Sequence, residues 1–164
     1  MPDIVVNLLV MFAFLFGMEG VAYFSHKYVM HGFLWCWHES HHLPRESMFE
    51  KNDFFGAIFA VPAILFIFLG TLGGGHAVWL WAGIGITLYG LVYFIFHDVI
   101  VHRRVRTGYV PKSAYMRRIV EAHWIHHSTP NKDDAVSFGF IFSPPVDSLL
   151  AERDRLQRAS VPEP

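Results

Sequence analysis

Three long runs of apolar residues dominate the pattern of the chain. They cover residues 4–24, 54–72 and 77–96, and Glu19 is the one charged residue among them. An α-helix of about 20 residues reaches roughly 30 Å, the thickness of a bilayer core. The runs therefore predict three transmembrane helices. Pro62 predicts a kink in the second helix, which spanning helices tolerate where neighbouring groups satisfy the freed backbone.

The segments around these runs complete the predicted architecture. The first run has neither the basic n-region nor the cleavage site of a signal peptide, so we interpret it as a retained anchor. A tight turn is expected between the second and third runs, at Thr71, Gly73, Gly74, Gly75 and His76. A fourth apolar stretch, 136–150, is broken by Ser143, Pro144, Pro145 and Asp147. It is expected at the membrane interface or as a re-entrant segment, and a fourth span stays open.

The basic residues predict the orientation. All 13 Lys and Arg lie between Lys27 and Lys51 or between Arg103 and Arg158. By the positive-inside rule, the N-terminus and the turn at 73–76 face outward, and segments 25–53 and 97–164 face the cytoplasm. We interpret the arginines that follow the third run as topology signals and lipid-headgroup contacts; they are Arg103, Arg104, Arg106, Arg117 and Arg118.

Composition narrows the class of protein. The 164 residues leave room for a single domain, 1–164. Hydrophobic residues make up 53% and charged residues 16%, which argues against a disordered or soluble globular chain. The single Cys36 excludes an internal disulfide and an all-cysteine zinc or iron–sulfur site. Nothing in the juxtamembrane basic residues or the net charge of -1 indicates nucleic-acid binding.

Ten of the 11 histidines form one pattern twice, a pair five residues apart followed by a triplet. The copies are His26-x4-His31 with His38-x2-His41-His42, and His97-x4-His102 with His123-x2-His126-His127. Helical positions three and four apart share a face, so each triplet can converge on one point. Residues five apart lie about 140° apart on an ideal helix, so each pair reaches one site only if the helix distorts or ends there. His76 stays outside the pattern.

This constellation predicts a dimetal site in a cytoplasmic helical cap. Ten imidazoles are too many for one ion, and two ions with four or five nitrogens each fit the count; imidazole suits iron, copper, zinc or nickel. Glu39, Asp98 and Glu121 can accept the second ring N–H of a ligand, although solvated surface or backbone capping is equally open for them. Glu19 is a functional candidate because it lies within a span, with snorkelling or pairing to a basic residue as the rival.

Several chemistries compete for such a site. The HExxH zinc-hydrolase motif is not matched, because His38-Glu39 is followed by Ser40-His41. A bis-histidine haem would need ligands deeper in paired spans. Two redox-active irons at a membrane surface suit O2 activation and attack on an unactivated C–H bond of a lipid-soluble substrate. The chain has no nucleotide-binding Gly motif, so the electrons are expected from a separate protein.

The histidine motifs resemble those of the membrane fatty acid hydroxylase superfamily. The longer stretches HESHHLPRESMFEKNDFFG (38–56), HDVIVHRRV (97–105), EAHWIHHS (121–128) and VSFGFIFSPP (136–145) resemble the bacterial and plant β-carotene 3-hydroxylases. The resemblance covers roughly residues 26–145, and it is specific to these motifs rather than to one short signature.

The resemblance implies an O2-dependent, non-haem di-iron monooxygenase that hydroxylates C3 of the β-ionone ring. β-Carotene would become β-cryptoxanthin and then zeaxanthin, and some members convert canthaxanthin towards astaxanthin. Electrons would come from ferredoxin or a similar donor, and the substrate from the bilayer. The implied metal ligands are His26, His31, His38, His41, His42, His97, His102, His123, His126 and His127.

Two other functions stay open at this point. One is hydroxylation of a fatty acyl, sphingoid or sterol chain, and the other is non-catalytic binding of metal or haem. Zinc in a purified preparation would not contradict an iron enzyme, because the divalent affinity order favours zinc over Fe²⁺.

Overall fold

The regular structure of the described residues is entirely helical. The computed structural model describes residues 2–45, 47–72, 76–129 and 131–160. The α-helices are α1 Pro2–Phe24, α2 Trp35–His42, α3 Asp53–Thr71, α4 Ala77–Tyr93, α5 Ala114–His127 and α6 Val146–Ser160. A π-helical segment, Ser25–Phe33, continues α1, and a second one, Phe94–Val101, continues α4. The predicted all-α class is confirmed.

The three predicted runs form the three helices that are long and apolar enough to cross a membrane within the described part of the chain. They are α1 with its π-helical continuation, α3 with Pro62 in its interior, and α4 with its continuation. Their outer surfaces carry large apolar side chains, such as Phe16 and Ile64, each 65% exposed. Apolar surface of this extent marks contact with lipid or a partner. The three helices therefore indicate membrane insertion.

Helix α4 lies against both α1 and α3, and two glycines permit the close approach. A Cβ atom on Gly85 would overlap the carbonyl oxygen of Met11 in α1. A Cβ atom on Gly83 would lie 2.7 Å from Cγ1 of Ile67 in α3. Small residues at such contacts let helix backbones approach within a membrane. The absence of side chains at these positions thus sets the spacing of the helices.

The fourth apolar stretch forms no span. Residues 135–142 make an irregular loop, and α6 begins only at Val146. The loop buries Phe140 against Ala22 and Tyr89, while Leu149 of α6 packs on Ile125 of α5. Pro144 and Pro145 separate the two parts, since proline disfavours a helical conformation in the residue before it. The loop and α6 cover the end of the helical bundle that carries the histidines.

Two sequence expectations differ in detail from the structure. Helical structure after the third run continues past Phe96 to Val101, because the polar Asp98 in this extension is buried beside partners rather than exposed at a helix end. The expected turn falls mostly on Gly73–Gly75, which lie outside the described residues. Thr71 is the last residue of α3, and the exposed His76 directly precedes α4.

We expect Gly85→Ala to destabilise the helical bundle by about 1–3 kcal/mol, the usual effect of overpacking. The added methyl group has to push α1 away from α4. The matched control is Gly17→Ala in α1, where an added Cβ meets nothing within 4 Å. The measurement is the free energy of unfolding of each variant in detergent micelles. Equal stability of both variants would contradict the close α1–α4 contact.

Candidate metal centre

The structure brings all ten histidines of the repeat into one cluster with two groups, and seven of the ten are buried. In each group, one ring nitrogen per residue lies within 4.8 Å of the others; the groups are His26, His31, His38 and His126, and His41, His97, His102 and His123. The rings of His42 and His127 stack between the groups, with centroids 4.4 Å apart. His42 approaches His38, with the Nε2 atoms 3.3 Å apart, and the ring of His127 lies 4.6 Å from that of His123. We therefore assign His42 to the first group and His127 to the second.

The groups do not follow the order of the sequence repeat. His41 belongs to the second group and His126 to the first, so the expectation that each triplet converges on one point is wrong for its middle histidine. Positions four apart on a helix differ by about 40°, whereas neighbouring positions differ by about 100°. The outer members of each triplet therefore face one group while the middle member faces the other. Each triplet thus links the two groups.

The π-helical segments bring the members of each pair together. A π-helix has i→i+5 hydrogen bonds, so residues five apart meet on one face. The N–H of His102 donates to the carbonyl oxygen of His97 at 2.9 Å. The N–H of Leu34 donates in the same manner to Val29 at 3.0 Å. The helices do distort where the five-residue spacing requires it, once in each half of the repeat.

In the first group, the outer ring nitrogen, Nδ1, of each histidine faces an oxygen. The pairs are His26 with the Phe138 carbonyl at 3.0 Å, His31 with Lys132 at 2.9 Å, His126 with Val136 at 2.8 Å, His42 with Thr129 at 3.3 Å, and His38 with Oδ1 of Asn52 at 2.7 Å. These oxygens only accept, so Nδ1 is the donor in every pair. In a neutral ring, the inner nitrogen, Nε2, then keeps its lone pair.

The inner nitrogens face one another at short distances. The Nε2 atoms of His26 and His38 are 3.0 Å apart, and those of His31 and His126 are 3.1 Å apart. In the second group the corresponding distances are 2.9 Å for His41 with His97 and 3.0 Å for His102 with His123. Two facing lone pairs repel unless a cation lies between them. Nitrogens bound to one ion at 2.0–2.1 Å are about 3.0–3.4 Å apart, so these residues fit divalent metal ions.

Burial keeps the imidazoles neutral. Removal from water lowers the pKa of seven histidines of the cluster that lie outside the spans, and neighbouring imidazoles lower it further; burial brings the pKa of His42 to about 4. The pKa is also lowered for His38, His41, His102, His123, His126 and His127. Metal ligation requires unprotonated imidazole. The cluster is therefore prepared to bind metal at neutral pH.

The second group is backed by carboxylates that one arginine holds. His41 Nδ1 lies 3.0 Å from Oε2 of Glu50, and His97 Nδ1 lies 3.5 Å from Oδ2 of Asp98. The Arg104 guanidinium is 3.1 Å from Glu50 and 3.0 Å from Asp98, and it donates to Asp53 at 2.8 Å. Burial raises the pKa of the Glu50 carboxyl, and the Arg104 charge opposes that rise. Nδ1 of His97 has no hydrogen-bond partner among the described residues, so Asp98 lies beside His97 without accepting its N–H, and its role in supporting a ligand stays a prediction.

Three other sequence interpretations change. Glu39 and Glu121 are exposed, because residues one or two positions from a ligand point about 100° or 200° away from it on a helix. The side chain of Arg104 is only 13% exposed and pairs with carboxylates, so it is not a lipid-headgroup contact. Glu50 and Asn52 are histidine partners that the sequence reasoning missed, although a polar cluster directly before an apolar run was a usable signal.

Glu19 anchors the loop that covers the cluster. Its Oε1 accepts hydrogen bonds from the backbone N–H groups of Phe140, Ile141 and Phe142 at 2.8–3.0 Å, and its Oε2 accepts one from the Tyr89 hydroxyl at 2.7 Å. Neither snorkelling nor pairing with a basic residue describes this arrangement. The same loop supplies the Val136 and Phe138 carbonyls to the histidines, and the Phe140 ring stacks on His26 with centroids 5.4 Å apart. Glu19 therefore positions the first group indirectly.

An apolar cavity of about 660 Å³ adjoins the histidines between α1, α3 and α4. Its walls include Phe59, Ala63, Ile67 and Ile86, and its polar end consists of Asn52, Asp53, Asp98 and Arg104. Tyr93 and Phe140 also line it. Their rings contact each other, with centroids 4.6 Å apart, and Tyr93 stacks on His97 at 4.6 Å. The two aromatic rings therefore separate the cavity from the two histidine groups.

Comparison with known proteins agrees with the motifs. Residues 11–151 match the fatty acid hydroxylase family. The chain is 45% identical to a beta-carotene hydroxylase of Pantoea ananas, over 88% of this chain and 82% of the relative. It is 44% identical to that of Pseudescherichia vulneris, over 92% and 85%. It is 38% identical to beta-carotene 3-hydroxylase 2, chloroplastic, of Arabidopsis thaliana, over 87% of this chain and 47% of the relative. No solved structure matches. The resemblance found in the sequence is confirmed.

Glu19→Ala should destabilise the protein by about 2 kcal/mol or more, because three backbone N–H groups and a hydroxyl lose their acceptor. Glu19→Gln keeps one acceptor oxygen and should lose less. The exposed Glu39→Ala serves as the control and should unfold like the unsubstituted protein. The free energy of unfolding in detergent tests the series. A Glu19→Ala protein as stable as the control would show that the loop does not depend on this carboxylate.

Proposed function

The chain belongs to the fatty acid hydroxylase family, and from this premise we propose that it hydroxylates C3 of the β-ionone ring of carotenoids with two irons and O2. Family membership makes it a hydroxylating oxidoreductase. The observation that carries the proposal is the double group of facing, neutral imidazoles beside an apolar cavity between membrane-spanning helices. The similarity to beta-carotene hydroxylases along most of the chain supports the substrate class.

Each group of histidines would hold one ion. The first ion would take His26, His31, His38, His126 and His42, and the second His41, His97, His102, His123 and His127. Bound iron would supply activation of O2 for attack on a C–H bond. The hydrogen bonds from Nδ1 to fixed oxygens hold the five rings of the first group and that of His41 in the orientation that ligation needs. The burial of the rings, complete at His126, keeps water away from the reacting groups.

The cavity suits a long apolar substrate that enters from the bilayer. Its lining follows α3 from Asp53 to Ile67, a rise of about 21 Å at 1.5 Å per residue. A carotenoid is a rigid rod about as long as a bilayer is thick. An upright rod would present one ring to Tyr93 and Phe140, beside both histidine groups. Hydroxylation of the second ring, which converts β-cryptoxanthin to zeaxanthin, would require the substrate to leave the cavity and bind again in the opposite orientation. Canthaxanthin would be processed in the same manner towards astaxanthin.

The electron source and the orientation complete the proposal. A ferredoxin-like or other donor protein would bring two electrons per hydroxylation, because the sequence holds no nucleotide-binding glycine motif. The N-terminus would face outward, and the segments 25–53 and 97–164, with the histidines, would face the cytoplasm. Membrane lipids would surround α1, α3 and α4, whose outer surfaces are apolar.

Cells that accumulate β-carotene should form β-cryptoxanthin and zeaxanthin when they express this protein together with an electron donor. Chromatography of the extracted pigments measures the products. His41→Ala and His126→Ala should each abolish the products, because each residue is a proposed ligand. His76→Ala, which changes the exposed histidine before α4, is the control and should retain activity. Unchanged β-carotene together with new hydroxylated acyl, sphingoid or sterol lipids would move the proposal to another substrate. A Soret band without any product would favour haem binding.

The single cysteine allows a test of orientation. Cys36 is exposed in α2, on the side proposed to face the cytoplasm. A membrane-impermeant maleimide should label it only after the membrane is opened. The matched variant combines Cys36→Ser with His76→Cys, which moves the thiol to the proposed outer side and should be labelled in intact cells. The reverse labelling pattern would invert the topology.

A further inference from the structure

The two histidine groups differ in what supports their outer nitrogens. In the first group the acceptors are four backbone carbonyls and the Asn52 side-chain amide, all neutral. In the second group, His41 faces the Glu50 carboxylate at 3.0 Å and His97 lies 3.5 Å from that of Asp98. In the part of the chain that the structure describes, Nδ1 of His97 has no hydrogen-bond partner, so Asp98 contributes its charge, and the Glu50 carboxylate is the one that contacts a ligand ring directly. The charge behind the ligands therefore distinguishes two sites that the sequence repeat makes look equivalent.

A carboxylate behind an imidazole strengthens it as a ligand. The negative charge draws the Nδ1 hydrogen towards the oxygen, which raises the basicity of the opposite nitrogen. A neutral carbonyl does this more weakly. Three carboxylates, those of Glu50, Asp53 and Asp98, surround the guanidinium of Arg104. A second cation, Arg45, acts on Glu50 but is exposed, so the carboxylates still outnumber the positive charges beside the second group. An acidic residue that acts on the first group, Asp133 near His31, is exposed, where solvent ions screen it.

Arg104 fixes this supporting charge in place. Oε2 of Glu50 lies between two partners, 3.0 Å from His41 and 3.1 Å from the Arg104 guanidinium. The same guanidinium lies 3.0 Å from the carboxylate of Asp98. Because the arginine side chain is only 13% exposed, its contacts with these carboxylates are little screened by solvent. The carboxylates are thereby held towards the ligand rings.

We propose that the two sites are unequal: the second site, backed by the Glu50 carboxylate that Arg104 holds in place, binds divalent metal more tightly than the first. Glu50 is a positioning residue that acts through His41. The inference rests on the proposed two-ion site, and it leaves the substrate of the enzyme open.

Zinc binding to the full-length, metal-free protein in detergent tests the inference without catalysis. Competition with a chelator should resolve a tight and a weak zinc site. Glu50→Gln should weaken the tight site about 10- to 100-fold, the usual effect of losing such a supporting partner. Asn52→Asp is the matched opposite change, since it places a carboxylate behind His38 in the first group, and it should tighten the weak site. Two sites of equal affinity in the unsubstituted protein would overturn the inference.

Ligand-deletion backgrounds assign each effect to a site. With His31→Ala disabling the first site, Glu50→Gln should still weaken the remaining zinc ion. With His102→Ala disabling the second site, Glu50→Gln should leave the remaining affinity unchanged. An equal loss in both backgrounds would overturn the inference. If circular dichroism shows that Glu50→Gln does not fold, Asn52→Asp in the His102→Ala background tests the inference instead. It should tighten zinc binding at the remaining first site, and an unchanged affinity would overturn the inference. Unequal zinc sites in a protein without pigment activity would contradict only the proposed function.

Discussion

The clustered imidazoles, whose inner ring nitrogens face one another in pairs, are the constraint on which the rest of the structure depends. Nitrogen atoms 2.9–3.1 Å apart with facing lone pairs repel each other without a cation. The protein offsets the cost of burying them by giving fixed acceptors to the outer ring nitrogens of the first group and of His41. The loop at 135–142, Asn52 before α3 and Glu50 all lie where these acceptors are needed. The positions of this loop, Asn52 and Glu50 in the cap are thus explained by the ring nitrogens that they accept hydrogen bonds from.

The membrane-spanning helices contribute more than anchorage to this arrangement. α1 and α4 each continue into a π-helical segment, so that histidines five residues apart face one site. Glu19, inside a span, binds the covering loop through its backbone, which gives a buried carboxylate three N–H donors and a hydroxyl. An intramembrane charge is costly unless it is satisfied in this way. The span and the metal centre therefore stabilise each other.

The sequence alone predicts the membrane spans and the candidate metal ligands, but not the contacts that support those ligands. Apolar runs and repeated histidine spacings are local patterns, so the helices and the ten clustered histidines could be predicted. Helix geometry also explains why His41 and His126 each belong to the other group from the histidine next to them, since side chains at adjacent helical positions point about 100° apart. The carbonyls of Val136 and Phe138 could not be identified, because a backbone acceptor has no side-chain signature. Glu39 is a candidate on sequence grounds because it lies beside His38, whereas Glu50 becomes a partner of His41 only through the tertiary fold.

The aromatic wall of the cavity links substrate position to both groups of histidines. Tyr93 stacks on His97 of the second group and Phe140 on His26 of the first, and the two rings contact each other. A molecule in the cavity would therefore contact two rings, one packed on the first proposed metal site and the other on the second. Phe140 is held by the hydrogen bond from its own N–H to Glu19. The carboxylate that secures the loop thus also holds one of the two rings that line the cavity, and under the proposed function it would influence how closely the end of a substrate approaches the first site.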